Sequence, residues 1–138
     1  MKYDLSRFIK AQERDYEAAL SEIKSGHKRS HWIWYIFPQV KGLGFSSTSE
    51  FYGIDGLEEA KAYIENDVLR ERLIDISEAL LGLESSDAGE VMGYPDDLKL
   101  RSSMTLFAEA TPEIDVFQRV LDKFFDGKKD QRTIELIR

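Results

Sequence analysis

Apolar residues recur at intervals of three and four positions along most of this chain, and this spacing constrains the fold more than any other feature. In the first segment the repeat runs through Leu5, Phe8 and Ile9 and continues to Ile23. Such intervals place side chains on one face of an α-helix, whereas a half-buried strand alternates apolar and polar positions. No stretch of the sequence alternates cleanly over the length of a strand. The pattern therefore predicts an all-α protein.

Capping residues and glycines divide the periodic pattern into about seven helices of unequal length. Asp4 and Gly26 are predicted to bound the first helix, because aspartate accepts bonds from free amides and glycine adopts the left-handed conformation. Ser30 is predicted to cap a short helix that ends near Phe37. The later predicted helices span about 55–66, 67–83, 95–110, 112–126 and 133–137, and a brief helical segment is expected at about 47–52.

The chain is expected to fold as one compact domain over residues 1–138. Its length of 138 residues is typical of a single domain, and its 42% hydrophobic content suits a packed core. No break in composition separates two regions, and no segment repeats at a fixed period.

Composition also narrows the cellular setting and the partners. The absence of cysteine excludes a disulfide framework and a thiolate zinc site. The segment around Asp4 lacks the apolar stretch of a secretory signal, and no apolar run approaches the ~20 residues of a membrane helix. We therefore expect a cytoplasmic protein that does not enter a membrane. The formal net charge of −7 disfavours nucleic acid as a partner, because phosphate would be repelled.

Two stretches of the chain lack acidic residues. Between Ile23 and Ser49 there is no aspartate or glutamate, although the chain carries 26 of them. The second stretch, residues 98–108, combines Lys99 and Arg101 with hydroxyl residues. Arginine and hydroxyl side chains are natural donors to phosphate and carboxylate groups. The sequence thus predicts that the two stretches face each other across one pocket for a small anionic ligand, phosphorylated or nucleotide-like.

Particular residues within these stretches are the predicted contacts. If Ser30 caps a helix, the free amides there also favour an anion. Gln39 follows Pro38 beside the loop 42–44 and is placed to read a polar group. The predicted ligand-binding residues are Lys28, Arg29, Ser30, His31, Trp32, Trp34, Gln39, Lys99, Arg101, Ser102 and Ser103. A structural alternative is that the hydroxyls of the second stretch bond back to their own helix.

The two tryptophans are expected to have different surroundings. Trp32 and Trp34 stand two positions apart, so on a helix they point to different sides. One indole is expected in the core, and the other can line a pocket wall and stack on a base or sugar. An alternative function is a protein-interaction module that uses a tryptophan-rich patch as its anchor.

Three residues are candidates for catalysis, although the sequence does not name a reaction. His31 is a candidate general acid or base, Glu50 a candidate carboxylate, and Asp97 a carboxylate beside the second stretch. Each has a structural alternative: a polar gap for His31, a capping box for Glu50 and the helix dipole for Asp97. His27 and His31 stand four apart, but no nearby acid or cysteine completes a metal site, so neither metal nor cofactor is predicted.

The sequence resembles the family known as domain of unknown function 1810, some of whose bacterial members are labelled calpastatin. The resemblance is carried by HKRSHWIWYIFPQ at 27–39, GLG at 42–44 and PDDLKLRSSMTLF at 95–107, and it begins at Tyr3. It implies a small, mostly helical, single-domain cytosolic protein. It implies no activity.

A shorter likeness suggests one enzyme class. The segment from Ser49 to Tyr52, which includes Glu50, is similar to the Ser-Glu-x-Tyr segment of YbiA-like N-glycosidases. That likeness implies, as a further alternative, hydrolysis of ribosylated nucleotide-type substrates. The sequence does not indicate an oligomeric state.

Overall fold

The computed structural model describes residues 3–138, and within them the chain forms nine helices and no strand. The helices are α1 (Ser6–Ser25), α2 (Ile33–Ile36), α3 (Ser47–Phe51), α4 (Gly56–Glu65), α5 (Asp67–Leu81), α6 (Ala88–Met92), α7 (Asp96–Ala110), α8 (Val116–Phe125) and α9 (Gln131–Ile137). The all-α prediction is confirmed. Residues 1 and 2 of the predicted domain lie outside the described part of the chain.

The centre of the bundle is α7, which packs against α2, α4, α6, α8 and α9. Leu100, Met104 and Phe107 on this helix are fully buried. Its hydroxyl residues Ser102, Ser103 and Thr105 are buried as well. Thr105 donates from Oγ1 to the carbonyl oxygen of Arg101 at 2.8 Å, within its own helix. A helix buried on most sides fits a position among several neighbours rather than at the surface.

The predicted apolar face of α1 is the face that packs. Leu5, Phe8 and Ile23 are buried, and α1 contacts α5 and α2. Gly26 ends the helix as predicted, with φ of 88° and its amide donating to the carbonyl oxygen of Ile23 at 2.9 Å. The start differs by one residue: Leu5 holds the capping position, and the carboxylate of Asp4 accepts from Ser6 instead.

One predicted helix start and one helix that was not predicted show where local sequence patterns failed. Ser30 does not cap α2, because its hydroxyl donates to the carboxylate of Glu22 and the helix begins three residues later, at Ile33. The unpredicted helix α6 is five residues long, too short to show a period. Its cap is Asp87, within a stretch that reads as a break in the sequence pattern.

A loop and a short helix between α2 and α4 form the surface beside α7. One isolated parallel β-bridge joins Val40 to Ile54, so the two ends of the segment 40–54 lie side by side. Gly53 permits this approach, since a Cβ there would lie 2.9 Å from the Cβ of Lys41. Gly44 packs as tightly, because its Cβ would lie 2.7 Å from the Oγ of Ser49. Within residues 3–138, no helix has the length and apolar character needed to cross a membrane.

Candidate functional site

A cleft of about 590 Å³ opens between the segment 39–53 and the first half of α7. This volume lies within the range of pockets that hold small molecules. The start of α9 closes one end. The lining residues are Trp34, Gln39, Val40, Leu43, Gly44, Phe45, Ser46, Ser49, Tyr52, Gly53, Pro95, Leu98, Lys99, Arg101, Ser102, Asp130 and Arg132.

The cleft carries a net positive charge in an acidic protein. Its lining includes three cations, Lys99, Arg101 and Arg132, and a single carboxylate, that of Asp130. Neither Arg101 nor Arg132 forms a salt bridge with any residue in the described range 3–138. A concave wall with uncompensated positive charge attracts small anions.

The guanidinium of Arg101 is held in place by backbone carbonyl groups. Its Nε donates to the carbonyl oxygen of Lys128 and its Nη2 to that of Lys129, each at 2.8 Å. A guanidinium has five N–H donors in a rigid plane, so two bonds on one edge leave the other edge available. Arg101 is therefore oriented without being neutralised.

Asp130 is fixed at the cleft by hydroxyl groups. Its Oδ2 accepts from the hydroxyl of Ser102 at 2.8 Å and from that of Thr133 at 2.6 Å. Its amide donates to the Oγ1 of Thr105 at 2.9 Å. Arg101 and Ser102 of α7 thus bind residues 128–130, which immediately precede α9. These contacts place the N-terminal end of α9 against the cleft.

Aromatic rings form the apolar part of the lining. The Nζ of Lys99 lies 5.2 Å from the ring centroid of Trp34, close enough for a cation–π interaction. Tyr52 packs against Tyr35, with ring centroids 5.1 Å apart. Phe45 stands at the rim with 84% of its surface exposed. Flat rings beside cations suit a ligand that is both planar and anionic.

Arg7 of α1 positions the wall that contains Tyr52. Its Nε donates to the carbonyl oxygen of Phe51 at 2.8 Å and its Nη2 to that of Gly53 at 3.2 Å. The same Nη2 forms a salt bridge of 3.1 Å with the buried carboxylate of Glu59. These contacts tie the segment 51–53 to the body of the bundle.

The turn after α1, residues 27–32, is organised around the carboxylate of Glu22. That carboxylate accepts from the amides of Arg29 and Ser30 at 2.7 and 3.1 Å, and from the Ser30 hydroxyl at 2.5 Å. It also accepts from the Nε1 of Trp32 at 2.9 Å. Burial acts to raise the pKa of Glu22, but these hydrogen bonds outweigh burial and lower it from 4.5 to about 2.

Asp96 forms salt bridges with a lysine from each of the two acid-poor stretches. The Nζ of Lys28 lies 2.8 Å from one oxygen of Asp96, and the Nζ of Lys99 lies 3.4 Å from the other. The Lys28 side chain is only 6% exposed and lies over the Trp32 ring at 4.8 Å. Asp96 therefore links the turn after α1 to the first turn of α7.

The structure brings five of the predicted ligand-binding residues into the cleft and leaves six outside it. Those in the lining are Trp34, Gln39, Lys99, Arg101 and Ser102. Arg29, Ser30 and His31 are exposed on the turn around Glu22, and Lys28 is directed to Asp96. Trp32 and Ser103 are buried, at 1% and 0% exposure, and Ser103 Oγ has no hydrogen-bond partner among the described residues.

None of the three candidate catalytic residues lines the cleft. His31 and Glu50 are exposed and do not line the cleft. Asp97 lines a second cavity of about 440 Å³, which also touches Arg101 and Phe124. Within the part of the chain that is described, no three histidine or acidic side chains cluster as metal ligands would.

Several residues of the cleft lining were not predicted as ligand contacts from the sequence. They are Phe45, Ser46, Asp130 and Arg132, whereas Ser49 and Tyr52 were indicated only by the likeness to N-glycosidases. The segment 128–132 reads as a solvated turn, but its three cations around one acid are the signal that points to a site. The roles of Glu22 and Asp96 have no such signal, because Glu22 bonds to a turn beyond the end of its own helix and Asp96 to Lys28, which is far away in sequence.

These features define a small all-helical protein with a cationic, aromatic cleft. A model of the family described as "Protein of unknown function (DUF1810)" matches residues 2–137, so the chain belongs to that family. It is similar to the crystal structure of the conserved hypothetical protein Rv1873 from Mycobacterium tuberculosis, with a TM-score of 0.96 and 43% identity over 99% of this chain and 98% of that one. A search among curated proteins found no match.

Proposed function

We propose that the protein binds a small anionic metabolite, phosphorylated or nucleotide-like, in the cleft beside α7. The observation that carries this proposal is Arg101, whose guanidinium is oriented by two carbonyl groups and has no acidic partner among residues 3–138. A fixed, uncompensated fork of donors matches the geometry of a phosphate or carboxylate oxygen pair. Because the fork is already ordered, a ligand loses little free energy in organising it.

The surroundings of Arg101 support the same ligand. Arg132 adds a second positive charge that has no salt bridge among residues 3–138, so the cleft can match more than one negative charge. The indole of Trp34 lies beside Lys99 and offers a planar surface next to the charged one. A nucleotide combines a phosphate with a planar base and so fits both surfaces.

Isothermal titration calorimetry with inorganic phosphate and adenosine 5′-monophosphate tests this proposal. We expect wild-type protein to bind both, and R101Q to bind them on the order of 100-fold more weakly, because a bidentate charged interaction is lost. R101K keeps the charge but loses the fork, so its affinity should lie between the two.

R29Q is the matched control, because Arg29 is exposed and lies outside the cleft lining. Its affinity should stay within about threefold of wild type, since a distant exposed charge is screened by salt. Circular dichroism would establish that each variant keeps its helices. Equal affinity of R101Q and wild type, or no binding of either anion at millimolar concentration, would overturn the proposal.

Two alternatives have their own supporting observations. An interaction module is favoured by the exposed rings of Phe45, Phe51 and Tyr94, at 84%, 59% and 81% exposure, rather than by the expected tryptophan-rich patch, because Trp32 is only 1% exposed. An N-glycosidase-like hydrolase is favoured by Ser49 and Tyr52 in the cleft lining. Loss of turnover of a ribosylated nucleotide in E50Q would support the hydrolase. A cytoplasmic location stays a prediction, which cell fractionation tests.

A further inference from the structure

Asp130 places a requirement on the ligand beyond negative charge, namely a hydrogen-bond donor. It is a carboxylate in the lining of a cleft whose other charged side chains are cations. A carboxylate beside a bound phosphate is repelled by it, unless the ligand also offers a hydrogen-bond donor. An ionised carboxylate accepts hydrogen bonds and cannot donate one, so it selects ligands that carry a hydroxyl or an amine.

The two oxygens of Asp130 differ in their surroundings. Oδ2 accepts from the hydroxyl groups of Ser102 and Thr133. Oδ1 accepts a hydrogen bond from no residue in the range 3–138, so its acceptor capacity is unused within that part of the chain. The hydroxyl bonds also fix the rotamer of Asp130, which holds the carboxylate beside the cleft.

The neighbours of Asp130 indicate how near the donor must lie to the anion. Ser102 binds Asp130, while the preceding residue, Arg101, binds the carbonyl oxygens of Lys128 and Lys129. The guanidinium of Arg101 and the carboxylate of Asp130 are thus fixed by contacts between two consecutive residues of α7 and three consecutive residues of one turn, 128–130. A suitable ligand carries its donor a few bonds away from its phosphate.

On the basis of the proposed function, we propose that the ligand is a 5′-phosphorylated ribose compound and that Asp130 binds its sugar hydroxyl groups. The ribose hydroxyls would donate to Oδ1, the phosphate would bind Arg101 with Arg132 nearby, and the base would lie toward Trp34. Sugar hydroxyl groups are common partners of carboxylates in nucleotide sites, because a charged acceptor forms the stronger hydrogen bond.

Calorimetry with three probes tests this inference: inorganic phosphate, adenosine 5′-monophosphate and its 2′,3′-dideoxy analogue. We expect wild-type protein to bind the ribonucleotide at least about tenfold more tightly than the dideoxy analogue, because the analogue leaves Oδ1 without a donor. D130N should reduce that ratio to within about threefold, because a charged acceptor is lost. Its affinity for inorganic phosphate should stay equal or rise, since a repelling charge is removed.

D126N is the matched control, because it removes the same charge four residues away and outside the cleft lining. Asparagine also tolerates the left-handed conformation of Asp126, whose φ is 53°. D126N should keep the wild-type ratio between the two nucleotides. If wild type binds both nucleotides equally and R101Q still weakens both, the anion site stands and the role of Asp130 is refuted. If no probe binds wild type, the anion site itself is refuted, and the role of Asp130 with it.

Discussion

Two cationic, hydroxyl-bearing regions of this molecule differ in the source of their counter-charge. In the turn 27–32, the carboxylate of Glu22 accepts from two backbone amides, a hydroxyl and an indole. In the cleft, the partners that orient Arg101 among residues 3–138 are two neutral carbonyl groups. The first region already contains its anion, whereas the second presents a charge to the solvent. The difference teaches that a basic segment is a candidate anion site only where a cation has no acidic partner in space, as Arg101 has none among residues 3–138.

Asp96 lies between the two regions, because it pairs with Lys28 of the first and with Lys99 of the second. Its replacement should have the largest effect on stability. In D96N the nearly buried ammonium of Lys28 loses its carboxylate partner. We expect the free energy of unfolding to fall by about 2 kcal/mol, because an uncompensated buried charge is costly. Urea denaturation would measure it.

D97N is the control for D96N, because both residues lie in the first turn of α7 and both complement its dipole. The Asp97 carboxylate accepts only from the adjacent amide of Leu98, at 2.9 Å, in the part of the chain that is described. Its loss should therefore cost less than about 1 kcal/mol. Equal destabilisation by D96N and D97N would show that the link to Lys28 contributes nothing.

Removal of the Glu22 carboxylate should convert the first region into an anion site. E22A leaves the donors of Arg29, Ser30 and Trp32 without an acceptor, and we expect a loss of about 1–2 kcal/mol. Acetate at tens of millimolar should then raise the melting temperature of E22A more than that of wild type, by binding the vacated donors. E17A, which removes an exposed carboxylate of α1, is the control. Equal effects of acetate on E22A and E17A would contradict the comparison.

The contribution of Glu22 to stability should also depend on pH in a defined direction. Its pKa is lowered from 4.5 to about 2, so the folded state binds protons less readily than the unfolded state. The stabilisation is therefore complete above pH 4.5 and is lost as the pH falls toward 2. Denaturation of wild type and E22Q should show a stability gap at pH 7 that narrows steadily across this interval. A gap that is constant with pH would exclude the ionised carboxylate as its cause.

The long helices were predictable because the signals that define a helix, apolar spacing and residues at its ends, lie within the helix or next to it. The three-and-four spacing from Leu5 to Ile23 identified the buried face of α1, and Gly26 identified its end. Short elements were less predictable: five residues of α6 span little more than one turn and cannot display a period. Ser30 looked like a cap because serine often is one, but its hydroxyl found a stronger, charged acceptor in Glu22.

The candidate site was predictable only in part, for a related reason. Absence of acids marked the stretches that supply Trp34, Lys99 and Arg101 to the cleft. The same criterion also selected Arg29 and Ser30, because it examines neighbours in sequence and ignores neighbours in space. Their partner Glu22 lies on the preceding helix, seven and eight positions away.

The sequence by itself determined the helical class and the kinds of side chain available for binding an anion. Both follow from local physics: the period of a helix and the chemistry of a guanidinium are the same in any fold. Only the tertiary structure decided which cations are neutralised and which are not. That outcome depends on distances between groups far apart in the chain, such as Lys28 to Asp96, and electrostatic interaction falls with distance in space rather than in sequence.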